Sequence, residues 1–157
     1  MKTSGLKESK EEFIKEAKMR KGGREMVTFE LKQSKEELIK EAKTRKGIRK
    51  QVLYEILTEI DMSLKELSGY INLSPRSIQL KRPNEKLPFD PSEKVLLIGK
   101  LYYKGFEIFG EKEKFIRWME NKNIVLGGIE PKLYLGSYTG IELLLNELNA
   151  IEHGFVA

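Results

Sequence analysis

The sequence predicts an all-α protein: a helical N-terminal arm, a helix-turn-helix module and a small helical C-terminal domain. Three observations carry that prediction. Capping patterns of the form Ser-x-x-Glu recur, apolar residues repeat at three- and four-residue spacing, and the stripes break at Gly, Pro and Asp. With 157 residues the chain has room for one domain or two small ones, and the breaks divide it at 1–47, 48–88 and 89–157.

The first part contains a duplication. Lys7-Glu8-Ser9-Lys10-Glu11-Glu12-Phe13-Ile14-Lys15-Glu16-Ala17-Lys18 returns as Lys32-Gln33-Ser34-Lys35-Glu36-Glu37-Leu38-Ile39-Lys40-Glu41-Ala42-Lys43. In each copy a serine hydroxyl and a glutamate three residues on can satisfy the free N–H groups of a helix start. Each copy closes on Arg-Lys-Gly, so two short helices are expected, with residues 26–31 as a strand or an extended linker. Two copies are too few to bury a core as a solenoid.

From Ile48 the apolar pattern tightens. Val52, Leu53, Ile56, Leu57 and Ile60 form the stripe of a helix packed on one side. Asp61-Met62 breaks it, and Ser63 with Glu66 opens a second helix. Ser74-Pro75 supplies a cap and a first-turn proline for a third, over 75–81. Asp90-Pro91-Ser92-Glu93 looks like the clearest helix start, with Asp90 as cap, for a helix over 91–109. That helix is apolar on more than one side, which implies burial from several directions, either within the chain or against a partner.

Gly110 should end it. A short helix over 111–121 presents Phe115, Trp118 and Met119, a loop over 121–128 follows, and Pro131 seeds a turn through Leu135. A last helix over 138–151 carries Ile141, Leu144, Leu145, Leu148 and Ile151 on one face. Gly154 stops it and leaves a short apolar tail.

Composition excludes several functions. There is no cysteine and only one histidine, His153, so disulfide frameworks, thiolate metal sites and His-rich sites are ruled out. No nucleophile triad, phosphate-cradling glycine loop or paired carboxylates can be assembled, so no catalysis and no cofactor are expected. No apolar run is long enough to span a membrane, and a cytoplasmic location is expected. The charge is uneven. Residues 1–50 hold 16 Lys and Arg against 9 Asp and Glu, whereas residues 51–157 hold 13 against 15. A basic front suits a polyanion, although a solvated lysine-rich helix has the same composition.

The strongest candidate for that polyanion's seat is the pair of short helices around Ile71-Asn72-Leu73-Ser74. In a helix-turn-helix the second helix enters the major groove. Here it would present Arg76, Ser77, Gln79, Lys81 and Arg82. Arg and Gln can pair with guanine and adenine edges, while Ser, Lys and Arg can hold phosphates. Ile78, Leu67, Ile71 and Leu73 should be core. An ordinary helical hairpin satisfies the same pattern.

The C-terminal region resembles a known family. Phe106-Glu107-x-Phe109-Gly110, Phe115-x-x-Trp118-Met119, Asn123-x-x-Leu126-Gly127-Gly128-x-x-Pro131, Gly140-Ile141-Glu142 and the ending Ile151-Glu152-His153-Gly154-Phe155-Val156-Ala157 stand in the order of the Xre/MbcA/ParS antitoxins. The resemblance extends from Val52 to Ala157, because the upstream hairpin is similar to that family's helix-turn-helix. Residues 1–47 fall outside it, and Glu130-Pro131 replaces the family's usual Thr-Pro.

The resemblance implies an antitoxin of a type II toxin-antitoxin system. Its partner would be a RES-domain toxin that consumes NAD, and the antitoxin would do no chemistry itself. It also implies binding to operator DNA, as a homodimer, to repress the shared promoter. The toxin-binding residues would be Gly127, Gly128, Glu152, His153, Gly154, Phe155, Val156 and Ala157. Phe155 and Val156 suit anchors in a cleft, and the two glycines allow close backbone approach. His153 and the Ala157 carboxylate could be bonded inside that cleft, with Glu152 and the carboxylate mimicking substrate charge. The alternative is a stand-alone regulator whose C-terminal domain only dimerises.

Overall fold

The computed structural model describes residues 47–154, all within one compact unit. The duplicated arm up to Lys46 and the tail residues Phe155, Val156 and Ala157 lie outside the described residues. Within them the fold is all-α: six α-helices, one 3-10 helix and isolated bridges instead of strands.

Helix α1, Lys50–Ile60, buries Leu53, Ile56, Leu57 and Ile60. It has no side-chain cap. Its first amides instead donate to carbonyls of the loop after the hairpin, Lys50 to Glu85 at 2.9 Å and Gln51 to Pro83 at 3.0 Å. A chain segment distant in sequence thus takes the place of an N-cap residue. Asp61 ends the helix in the left-handed conformation, φ 55°.

Helix α2, Leu64–Ile71, starts as expected, with the Ser63 hydroxyl accepting from the Glu66 amide at 3.1 Å. Asn72, φ 54°, closes it and turns the chain into α3, Pro75–Gln79. Ser74 caps α3 through the Ser77 amide at 3.1 Å, and Pro75 sits in its first turn. The expected helix over 75–81 is cut short, which corrects the placement of Lys81 and Arg82. Pro83 disfavours helical backbone at Arg82. The Lys50 ammonium holds the carbonyls of Gln79 and Lys81, each at 2.7 Å. Both lysine and proline therefore favour a stop at Gln79.

Helix α4, Phe89–Phe109, begins earlier than the sequence suggested, and Asp90 is not its cap. Pro88 occupies the cap position, with no side-chain bond, and Asp90 lies inside the first turn. There its carboxylate complements the helix dipole, and Pro91 lacks an N–H that would have found no helical partner. The serine of the motif has a different use. Buried Ser92 donates to the Pro88 carbonyl at 2.7 Å and accepts the Ile48 amide at 2.9 Å, pinning the incoming chain to the helix start.

The several apolar sides of α4 are explained within the chain. It packs against α1 and α2, against α5, Lys112–Glu120, and against α6, Tyr138–Glu152. Val95, Ile98, Leu101 and Tyr102 are buried at these contacts. Gly110, φ 73°, ends the helix, as expected. Below it an aromatic cluster fills the angle between α4 and α5. Phe115 lies edge-on to Tyr102 at 5.2 Å and Phe106 at 5.6 Å, and stacks on Trp118 at 5.8 Å. Gly105 makes room for it, since a Cβ there would stand 2.2 Å from the Phe115 ring.

The 3-10 helix, Pro131–Gly136, buries Pro131 and Leu135 and leads into α6. α6 starts at Tyr138 as expected, and Ser137 caps it through the Gly140 amide at 3.0 Å. Ile141, Leu144 and Leu148 face the core; Leu145 and Ile151 are only partly covered.

Lys94, on α4, is 8% exposed. Its ammonium donates to the Tyr70 carbonyl at 3.1 Å and the Gly136 carbonyl at 2.9 Å, and lies 5.2 Å from the Tyr138 ring centre. One cation thus neutralises the C-terminal ends of α2 and the 3-10 helix, and so ties the hairpin to the C-terminal helices.

Candidate functional site

Two exposed surfaces hold the residues singled out by the sequence. On the first, Arg76, Ser77 and Gln79 all reach solvent from the single turn and a half of α3. Ser77 is not wholly free, because its hydroxyl bonds that of Ser74 at 2.7 Å. Lys81 and Arg82 stand on the following loop. Lys81 pairs with Glu85 at 3.2 Å, and the Arg82 amide donates to the same carboxylate at 3.1 Å. The Arg82 amide, followed by Lys81, holds the Glu85 carboxyl below the usual carboxylate range. Given no role in the sequence was Leu80, 73% exposed between Gln79 and Lys81. So was Lys50, whose ammonium fixes the end of α3 while lying 5.8 Å from the Tyr54 ring centre.

The second surface is the loop between α5 and the 3-10 helix. Asn123 organises it. Its side-chain oxygen accepts the Val125 amide at 2.9 Å, an Asx turn. Its carbonyl accepts the amides of Leu126 at 3.1 Å and Gly128 at 2.8 Å, while its own amide donates to Ile129 at 3.0 Å. Gly127 and Gly128 take φ values of 81° and 75°, which side chains with a Cβ rarely adopt. Buried Leu126 anchors the loop, and its carbonyl accepts the Tyr134 hydroxyl at 2.7 Å. The result is a rigid loop with Ile124 92% and Val125 50% exposed. Ile129 and Leu133 are exposed beside them in sequence.

The other expected site residues sit on a different support, at the end of α6. Lys104 of α4 pairs with Glu152 at 3.2 Å and also donates to the side-chain oxygen of Asn149. His153 is the C-cap, with its amide at 3.1 Å and Nδ1 at 2.8 Å from the Asn149 carbonyl. Gly154, φ 77°, returns its amide to Ile151 at 3.1 Å. The Glu152 carboxylate and the His153 ring thus already have partners that fix the helix end. Gly127 and Gly128 are held by Asn123 and Tyr134, so the two groups are positioned independently.

Two half-buried tyrosines donate to carboxylates, Tyr103 of α4 to Glu59 of α1 and Tyr70 to Glu66 within α2. Burial pushes the Tyr103 hydroxyl pKa up, and the neighbouring Glu59 carboxylate, to which it donates, pushes it further. Tyr70 is raised to about 12, first by burial and then by Glu66. Both remain neutral donors at ordinary pH.

Residues 104–154 match the family model described as the antitoxin Xre/MbcA/ParS C-terminal toxin-binding domain. That segment is similar to the toxin-binding domain of Xre/MbcA/ParS antitoxins. It runs from the middle of α4 through the aromatic cluster, the 123–129 loop and α6 to Gly154. The antitoxin family is not an enzyme family. The hairpin lies outside the match, which is narrower than the resemblance read from Val52 onward. No curated protein matches the chain. Among the described residues, no helix is long and apolar enough to cross a membrane, and no group of three or more His, Asp or Glu residues could hold a metal ion.

Proposed function

We propose that this chain is the antitoxin of a type II pair, which binds a RES-domain toxin, closes its NAD-consuming active site and represses their common promoter. The match of residues 104–154 to a toxin-binding domain carries the reading. In it, residues 89–157 bind toxin and dimerise, residues 48–88 bind the operator and residues 1–47 form a basic arm. Gly127, Gly128 and residues 152–157 contact the toxin, with Phe155, Val156 and Ala157 entering its cleft in the cytoplasm. Arg76, Ser77 and Gln79 read or hold DNA from α3, and Lys81 and Arg82 from the loop behind it. The exposure of all three α3 side chains, and the fixing of that helix by Ser74 and Lys50, support the assignment.

Co-expression with the product of the adjacent reading frame tests both halves. The two proteins should co-purify, and the neighbour expressed alone should deplete cellular NAD. Deleting residues 154–157 should restore that depletion while operator binding survives. Arg76→Ala with Lys81→Ala should do the reverse, weakening operator binding and flattening its salt dependence while neutralisation persists. A chain that purifies only as a homodimer beside its co-expressed neighbour is a regulator, not an antitoxin.

A further inference from the structure

The 123–129 loop places two β-branched residues in water and holds them there. An isoleucine 92% exposed is costly to display. A flexible loop would fold such a residue against its own surface. This one cannot, because Asn123 closes the turn from both ends, Gly127 and Gly128 fix its return, and the Tyr134 hydroxyl fastens it to the 3-10 helix. The amides of Val125, Leu126, Gly127 and Gly128 all bond within the loop, so its tip is already ordered before binding.

We infer that Ile124 and Val125 are a pre-formed apolar anchor for the toxin, seated in an apolar pit on the toxin's surface and separate from the contact made by residues 152–157. The inference rests on the antitoxin reading. Its occupant is argued from two observations. The tip lies inside the segment that matches a toxin-binding domain. A second copy of this chain is a poor receptacle. The cavity lined by Ile60, Met62, Tyr102, Ile116 and Met119 holds about 40 Å³ and also carries Asp61, Glu66, Glu120 and Lys132, so an aliphatic tip entering it would desolvate charge. Two such tips meeting, each of two exposed aliphatic residues, would also bury far less than the roughly 800 Å² per partner of a stable interface. The partner's pit should be apolar and about two aliphatic side chains wide.

The experiment uses the full chain co-expressed with the product of the adjacent reading frame, comparing wild type with Ile124→Asp plus Val125→Asp. Thermal unfolding and operator binding of the double variant should equal wild type, and its toxin affinity should fall by about 100-fold or more. Ile124→Val with Val125→Ile, which keeps an apolar tip, should restore most of the affinity. Unchanged toxin affinity in the aspartate variant overturns the anchor while leaving the antitoxin reading standing. A wild-type chain that captures no neighbour overturns both. If sedimentation shows the aspartate variant as monomer and wild type as dimer, with equal toxin affinity, the tip belongs to self-association and the inference fails.

Discussion

The surface around α3 and the tip of the 123–129 loop are held by the same devices and display opposite chemistry. Each is closed by short side-chain bonds, Ser74 and Glu85 on one, Asn123 and Tyr134 on the other. The first offers Arg76, Gln79, Lys81 and Arg82 around a single exposed leucine, Leu80; the second offers Ile124 and Val125. Rigidity is common to both and says little about the partner. What separates them is the group held outward: cations and amides for a polar ligand, aliphatic carbon for a protein pit. Between the hairpin and the C-terminal helices runs α4, with Lys94 bonded to α2 and the 3-10 helix and Gly105 against Phe115.

The largest effect should come from disturbing that cluster. Gly105→Ala puts a methyl within 2.2–2.4 Å of three Phe115 ring atoms. The ring is enclosed by Tyr102, Phe106, Phe109 and Trp118, so it has nowhere to move. A loss of about 1–3 kcal/mol in urea unfolding is expected, with toxin binding impaired through the domain that the cluster supports. Wild-type stability would mean that the cluster yields readily and does not set the geometry of the loop above it.

Lys94 joins the end of α2 to the end of the 3-10 helix. Lys94→Met keeps the apolar stem and leaves the Tyr70 and Gly136 carbonyls without their donor, at a cost of about 1–3 kcal/mol. Amide exchange should then speed up at the ends of α2 and the 3-10 helix ahead of the aromatic cluster. Uniform acceleration across the protein would show a general loss of stability, not a loosened joint. Within the hairpin alone, Asn72→Ala should cost about 1 kcal/mol, because φ at Asn72 is 54° and alanine lacks the short polar side chain that eases this conformation. Thermal unfolding would measure it.

What the sequence disclosed follows how local the cause was. Ser63, Ser74 and Gly110 act on residues within four positions, so their patterns were sufficient. The Asp90 motif is equally local, yet Pro88 had already started the helix, and Ser92 served a residue 44 positions away. Lys94 was invisible for the same reason: its carbonyl partners lie 24 and 42 residues off, and lysine is ordinarily read as solvated. Ile124 and Val125 entered the sequence only as part of a loop, whose local pattern does not say whether they are covered; the closed geometry of Asn123 to Ile129 leaves them exposed. At the end of α6, Glu152 and His153 drew notice as members of a motif, whereas their bonds to Lys104 and Asn149 come from the tertiary fold and the helix end.

The smallest effect separates the two surfaces most finely. Glu85 is the acid within the cationic surface. Its carboxyl is held low by the Arg82 amide and Lys81, so the loop contacts it makes are in place above the usual carboxylate range and are lost as pH falls through its depressed value. Glu85→Gln removes the charge at neutral pH and frees Lys81 from its ion pair. If Lys81 faces phosphate, operator affinity should rise modestly and the slope of log K against log salt should steepen by about 0.9, one further counterion released. Toxin affinity should not move, since no part of the 123–129 loop touches Glu85 in the contacts that close either surface. An unchanged salt slope would take Lys81 off the DNA and leave recognition to α3 alone, which would narrow the polar surface to Arg76, Ser77 and Gln79 without altering the apolar one.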